Sequence, residues 1–383
     1  MEKLDDPFIT LRKMVFIEAK NCKIARFCDV LLIVLYSLAQ CLHLYYMCQN
    51  FNLNLLIRYG PILISCLLVI VTAVISVGLD KEIFEVYTVC WKISWPLNFL
   101  RKDAQTKLRR KCQIINRGIL CSALLFLTTV ISTFPCFGSV RDFFICVEVY
   151  EKYFGEWSFI PYYFYFAAAP FLYYHFFRVC YVFAYAFLHA QLQYFLIEEY
   201  LLETYQTNDL KGWKYLQDTR YQQEIGKSLL LCITHHIALK KYVKISQNLV
   251  LIGMPFFLVL GVLLLINSFG FITNFGDTMS NILKIRILIF VACGVSITIV
   301  MCWIGQQLID VTSEIFVTLG GAPWYFWNRD NNNILLMFLT NCTKNESFIL
   351  AGICVNYQLF FSIVRLTVSY TLVLYNLRES GFI

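Results

Sequence analysis

Stretches free of Asp, Glu, Lys and Arg recur along the chain at lengths that can cross hydrocarbon, for which an α-helix needs about 20 residues. They run Val30–Ile57, Tyr59–Leu79, Gly118–Val140, Trp157–Phe177, Ile245–Gly276 and Ile287–Ile309, and a seventh, Ser347–Leu377, is interrupted only by Arg365. The pattern predicts an all-α membrane protein of seven transmembrane helices, at 30–50, 59–79, 118–137, 162–190, 246–272, 285–305 and 347–377. Beyond Arg178 a further charge-free run extends from Val179 to Ile197. The segment His175-Phe176-Phe177-Arg178-Val179-Cys180 contains no Gly, Pro or Asn to turn the chain there. One long fourth helix is therefore expected, kinked at Pro170 and projecting into the cytosol.

The cations set the orientation. The segments before span 1, between spans 2 and 3, after span 4 and after span 6 hold 24 Lys and Arg, against 6 on the opposite side. An excess of that kind marks the cytosolic face, so the N-terminus is expected inside and the C-terminus outside. The organisation expected is a cytosolic N-terminal segment (1–28), six spans (29–310), a cytosolic segment (311–346), the last span (347–377) and an extracellular tail (378–383). The first 28 residues mix charges and lack an apolar core, so no cleavable signal is expected and span 1 acts as the insertion signal. The sequons at Asn341 and Asn345 fall on the cytosolic side, where they cannot be glycosylated.

Composition agrees with lipid as the main solvent. Hydrophobic residues make up 59% of the 383 and charged residues 15%, with a mean hydropathy of +0.62, whereas soluble chains carry about a quarter charged residues. The net charge of +7 is too small for so apolar a chain to indicate nucleic acid. Catalytic and metal chemistry has little foothold. The five His fall in no metal-binding spacing, the sixteen Cys show no Cys-x-x-Cys pair, and Gly320-Gly321 lacks the Lys of a phosphate loop. No enzyme, metal or cofactor is expected. Cys136 and Cys146 share the extracellular loop after span 3, where a disulfide is chemically possible.

The last span differs from the others. Gln358, Ser362, Arg365, Ser369, Val373 and Asn376 recur every three or four residues and keep one helix face in line. Polar groups are expensive in lipid, so this stripe must meet protein or water. It is either a seam within one seven-helix bundle or the lining of an aqueous path made by several subunits.

The C-terminal third resembles the insect odorant receptors. Cys302-Trp303-Ile304-Gly305, followed by Leu308 and Ser313, is similar to a family segment at the end of span 6. Trp324-Tyr325 resembles the pair preceding a short cytosolic helix, here about Asn333–Leu339, and His236–Lys241 resembles the lead-in to span 5. Phe361 to Leu374, with Ser369-Tyr370, resembles the closing pattern of the last span. The matched segments and the ground between them cover about 145 residues. The related gustatory receptors, whose channels are gated by tastants, share the orientation but end in a different pattern; a transporter or membrane enzyme is a more distant alternative.

The resemblance implies the odorant-specific subunit of a ligand-gated, non-selective cation channel. Such a subunit joins a shared co-receptor in a heterotetramer in the plasma membrane of olfactory sensory neurons. The resemblance places an apolar gate at Val373 and Leu377, with Asn376 beside it, and makes Gln358, Ser362, Arg365 and Ser369 pore-lining. It places a small volatile odorant in the outer half of spans 2, 3, 4 and 6. The residues there are Cys66 and Leu68, then Thr129, Ser132, Thr133 and Phe134, then Tyr162, Tyr165 and Phe166, and finally Phe290. Membrane lipid and permeant cations complete the implied partners.

Overall fold

A computed structural model of the protein describes residues 6–15, 23–135, 143–206, 216, 218–350 and 352–379. The helices are α1 (Ile9–Val15), α2 (Lys23–Gln49), α3 (Leu53–Gly78), α4 (Asp80–Ile93), α5 (Lys102–Ser132) and α6 (Ile145–Phe154). They continue as α7 (Phe159–Gln206), α8 (Thr219–Phe275), α9 (Asn281–Gly320), α10 (Arg329–Cys342) and α11 (Tyr357–Glu379). Seven helical segments, containing α2, α3, α5, α7, α8, α9 and α11, are long and apolar enough to cross a bilayer. The third ends at Ser132, short of the expected 137, and Cys136 lies outside the described residues. Cys146 is buried within α6 at 1% exposure.

The fourth span is one helix of 48 residues that runs through both Pro170 and Arg178. Arg178 is buried and fully engaged. Its guanidinium pairs with Asp80 of α4, donates to the carbonyl and hydroxyl of Ser76 in α3 at 3.3 and 3.2 Å, and reaches the Val15 carbonyl of α1 at 3.4 Å. One turn earlier, His175 sits 3.2 Å from Asp29 of α2 and 3.1 Å from the Ser76 hydroxyl. Four helices thus meet around one cation and α2 joins one turn away, which is why a charge in the middle of α7 does not end the span.

Three spans do not stop at the membrane. α8 has 57 residues, about 85 Å at 1.5 Å per residue, far more than a bilayer requires. Its cytosolic half buries Tyr221, Ile225, Leu229, Cys232, His236, Leu239 and Val243, spaced three or four residues apart as one helix face requires. That face packs with the distal part of α7 and with α9 and α10 in a cytosolic bundle centred on Tyr194, Leu308, Ile315 and Phe338. Polar contacts lock α10 in place. Asn331 donates to the backbone oxygen and side-chain oxygen of Gln222, both at 2.8 Å. Gln222 in turn donates to the Phe326 carbonyl at 2.8 Å. A Cβ at Gly226 would stand 2.7 Å from Asn331 Oδ1, so the glycine permits this approach.

The expectation that the last span begins at Ser347 is corrected. A two-residue antiparallel hairpin, β1 (Ile349–Leu350) with β2 (Ile353–Cys354), comes first. Gly352 stands at φ +85°, a left-handed conformation that favours glycine and cannot continue a helix. Val355 N donates to Phe348 O at 2.8 Å, and both side chains are buried. The hairpin end presses on α9 so closely that any Cβ at Gly305 would collide with the Val355 carbonyl. The short cytosolic helix also proves longer than Asn333–Leu339, because Asn328 caps it by accepting from Asn331 N at 2.9 Å. The charged and polar residues of α4 and α6 conceal two further helices that hydropathy does not reveal.

Within the cytosolic bundle His235 stacks on Trp95 at 4.0 Å and lies 3.1 Å from Gln193 Oε1. His236 packs edge-on to Phe338 at 5.4 Å. Burial lowers both imidazoles to about 4, the neighbouring His236 adding to the effect on His235 and Lys240 to that on His236. A histidine with its folded value below the free one, about 6.5, supports folding at neutral pH and loses that support as pH falls from about 6.5 toward 4. Thermal melting of the purified protein should therefore fall steadily between pH 7 and pH 5. His236→Phe, which keeps the ring packing, should reduce the slope; an unchanged slope would show that His236 does not contribute.

Candidate functional site

The outer half of the bundle holds a pocket built from α2, α3, α5, α7 and the residue preceding α6. Its lining is Tyr36, Ile62, Cys66, Val69, Thr133, Phe144, Tyr165, Phe166, Ala169, Leu172 and Tyr173. Helical spacing explains the arrangement: Ile62, Cys66 and Val69 share one face of α3, and Tyr165, Ala169 and Leu172 share one face of α7. Tyr165 is the hub. Its ring stacks on Tyr36 at 4.6 Å, its backbone oxygen accepts from the Tyr36 hydroxyl at 3.1 Å, and its own hydroxyl lies 2.9 Å from Cys66 Sγ. His43 meets it edge-on at 5.7 Å. Phe166 is boxed by Phe144 and Tyr162, each 5.0 Å away.

The free volume is about 10 Å³, about the space one water needs. The pocket is thus closed around its own aromatic side chains, and a guest must displace rings. Its chemistry is that of shape and apolar contact, with the Tyr165 hydroxyl, the Cys66 thiol and the Thr133 hydroxyl as the polar marks. Thr133 already donates to Val130 O at 2.7 Å.

Of the ten sequence-derived pocket residues, Cys66, Thr133, Tyr165 and Phe166 come together here. Tyr162 stands behind Phe166. Thr129 and Ser132 turn their hydroxyls back onto their own helix, at 2.8 and 2.7 Å. Phe134 packs beside the Phe126, Val130 and Cys293 cluster. Phe290 is half-buried on α9 and not in the lining. Leu68 faces a different, larger cavity nearer the cytosol. Tyr36 and Phe144 were invisible to sequence reasoning, since one belongs to span 1 and the other follows a loop. Ile62, Val69, Ala169 and Leu172 had a readable signal in the three- and four-residue spacing from Cys66 and Tyr165.

The last helix shows two distinct faces. Ile363, Thr367 and Thr371 are buried against the protomer, and Leu374 fits over Gly270 of α8, whose added Cβ would lie 3.1 Å from it. Gln358, Ser362, Arg365, Ser369, Val373 and Asn376 all lie on the exposed side. The stripe is therefore not a seam inside one bundle. Val373 is 52% exposed and Tyr370 54%; the side chain of Leu377 lies outside the described residues. Of the other motif residues, Cys302 is buried, Trp303 half-buried and Gly305 seated under Val355. Trp324 and Tyr325 are exposed in a single 3₁₀ turn ahead of α10.

No family model matches the sequence, and no curated protein matches it. Solved structures do. The chain is similar to the insect olfactory receptor OR5 from Machilis hrabei, with a TM-score of 0.68 over 92% of this chain and 89% of that one at 10% identity. It is similar also to that receptor in complex with eugenol, with a TM-score of 0.64, 11% identity, and coverage of 91% and 88%. The chain has the fold of an insect olfactory receptor.

The outer pocket generates a direct test. Tyr165→Ala removes the hub ring and should lower stability by about 3 kcal/mol through the void it leaves. Added 4-methylphenol, which replaces the lost side chain, should restore part of the melting temperature. No restoration at saturating phenol would show that small apolar molecules do not reach this site.

Proposed function

We propose that this chain is the odorant-specific subunit of a ligand-gated, non-selective cation channel of the insect odorant receptor family. The observation that carries the reading is the outward polar face of α11 on a protomer with the olfactory receptor fold. A row of Gln, Ser, Arg and Asn side chains cannot rest against lipid tails, so it needs water or another subunit. Four such helices around an axis would supply both. The apolar Val373 and Leu377 would then close the outer end by excluding water, with Asn376 between them.

Assembly has support of the same kind. The cytosolic helix α10 buries Leu335 and Phe338 inside the protomer but leaves Leu336 and Met337 60% and 68% exposed. Val317 of α9 is 68% exposed. No lipid covers these residues at that level, and an apolar patch on the cytosolic side favours a partner subunit. The reading makes that partner the odorant receptor co-receptor in a heterotetramer.

The ligand is read as a small volatile molecule, because the outer pocket is aromatic, nearly without charge, and closed to water. The similar receptor solved with eugenol binds a molecule of that class. In this reading the odorant displaces the Tyr165, Tyr36 and Phe166 rings. That movement shifts α3 and α7 against α8, on which α11 packs. The setting would be the plasma membrane of olfactory sensory neurons. No step requires a catalytic group.

Co-expression with the co-receptor should give odorant-evoked cation current, and expression alone should give little. Current from this chain alone, evoked by sugars or bitter compounds, would instead support a tastant-gated homomer. Val373→Ala should raise the resting current of the co-expressed channel; an unchanged resting current would remove Val373 from the gate.

A further inference from the structure

Between the outer pocket and the cytosolic bundle lies a cavity of about 190 Å³ that shares no lining residue with the outer pocket. It is lined by residues of α3, α4, α7, α8, α9 and α11. Leu265 marks its outer end, Leu68 the middle of span 2, and Ile83, Val86 and Val355 its cytosolic end. Most of the lining therefore lies at the depth of the inner leaflet.

Small residues create the space. Gly253, Gly261 and Gly294 all line it. A Cβ on Gly261 would meet nothing within 4 Å, and one on Gly294 would touch only Leu265 Cδ2, at 3.6 Å. Met254, Phe257, Leu258 and Leu265 line the cavity from α8 and yet remain part-exposed. The wall offers water almost nothing. Thr298 donates to Gly294 O at 2.9 Å, and the Ser246 hydroxyl, 2% exposed, is engaged by Tyr242.

An apolar cavity of about 150 Å³ stays dry and takes an apolar guest. This one is larger, and the abundant apolar molecule at its depth is membrane lipid. Ser246 lies where α8 enters the membrane from the cytosol, the level at which the chain of an inner-leaflet lipid joins its ester. We propose that the inner cavity takes an acyl chain of a phospholipid from the cytosolic leaflet. Leu359 and Ile363 of α11 form part of the wall. The bound chain braces the cytosolic half of the last helix, so lipid occupancy and the position of that helix are linked.

The test uses the full chain in nanodiscs containing phosphatidylcholine with a diazirine in one acyl chain, followed by irradiation and peptide mass spectrometry. Label is expected on the cavity residues Met254, Leu258 and Met301 as well as on the lipid-facing Ile252, Phe256 and Val259. Gly261→Phe, or Gly294→Met should the first variant misfold, fills the cavity. It should abolish label at the cavity residues and leave the lipid-facing label intact. Label confined to the lipid-facing residues would overturn the proposal, as would cavity label that survives both variants. Cavity label from a diazirine fatty acid but not from the phospholipid would overturn the esterified source. The readout involves no odorant and no current, so it stands or falls separately from the proposed channel function.

Discussion

A polar group in hydrocarbon costs several kcal/mol unless the protein itself supplies its partner, and this constraint accounts for most of the architecture. Hydroxyls inside the spans fold back onto their own helices, as Ser37 does to Ile33 O and Thr72 to Val69 O, each at 2.8 Å. Arg178 draws Ser76, Asp80 and the Val15 carbonyl around it. That gathering brings α1, α3, α4 and α7 together at the inner edge of the membrane, with α2 joined one turn away through Asp29 and His175. A residue that threatens the span in one dimension organises the packing in three.

The same constraint separates the two faces of the last helix. Thr367 and Thr371 turn toward the protomer, whereas Arg365, Ser369 and Asn376 turn away from it. In most spans the polar residues find partners within the chain. Along this stripe only Ser362 does so among the described residues, folding back onto Gln358 O at 2.8 Å, and a surface that lipid tolerates so poorly is the strongest reason to read the protomer as one part of a larger assembly. The exposed Leu336 and Met337 on the cytosolic helix make the converse point, being apolar where only water or another protein is available.

Packing density differs along the molecule. The cytosolic bundle is tightly filled and cross-tied through Gln222, Asn331, Gln193 and His235. Toward the membrane, α8 loosens into a run of glycines and part-exposed aliphatics around the inner cavity. The outer pocket closes again around Tyr165. The last helix is attached chiefly through α8. Its cytosolic end is held separately, by the hairpin seated on Gly305.

The number of spans was legible in the sequence because charge-free runs report directly on the solvent a segment requires. The continuous fourth helix was legible because the segment around Arg178 lacks any residue that turns a chain. The polar stripe was legible as a pattern, since Gln358, Ser362, Arg365, Ser369 and Asn376 keep helical register whatever surrounds them. What the stripe faces was not, because one helix carries no information about which of its sides meets a neighbour. The hairpin before Tyr357 escaped notice because an apolar run looks the same as helix or strand, and only the φ of Gly352 distinguishes them. The pocket was half legible. Cys66 and Tyr165 were reached through the resemblance to the odorant receptors, but Tyr36 and Phe144 enter it from 129 and 21 positions away in the chain. Sequence alone determined the solvent, the number of membrane-spanning helices and their direction, for those follow from each segment's own chemistry. Only the tertiary structure decided which faces meet, because contact between distant segments depends on the packing of all the helices together.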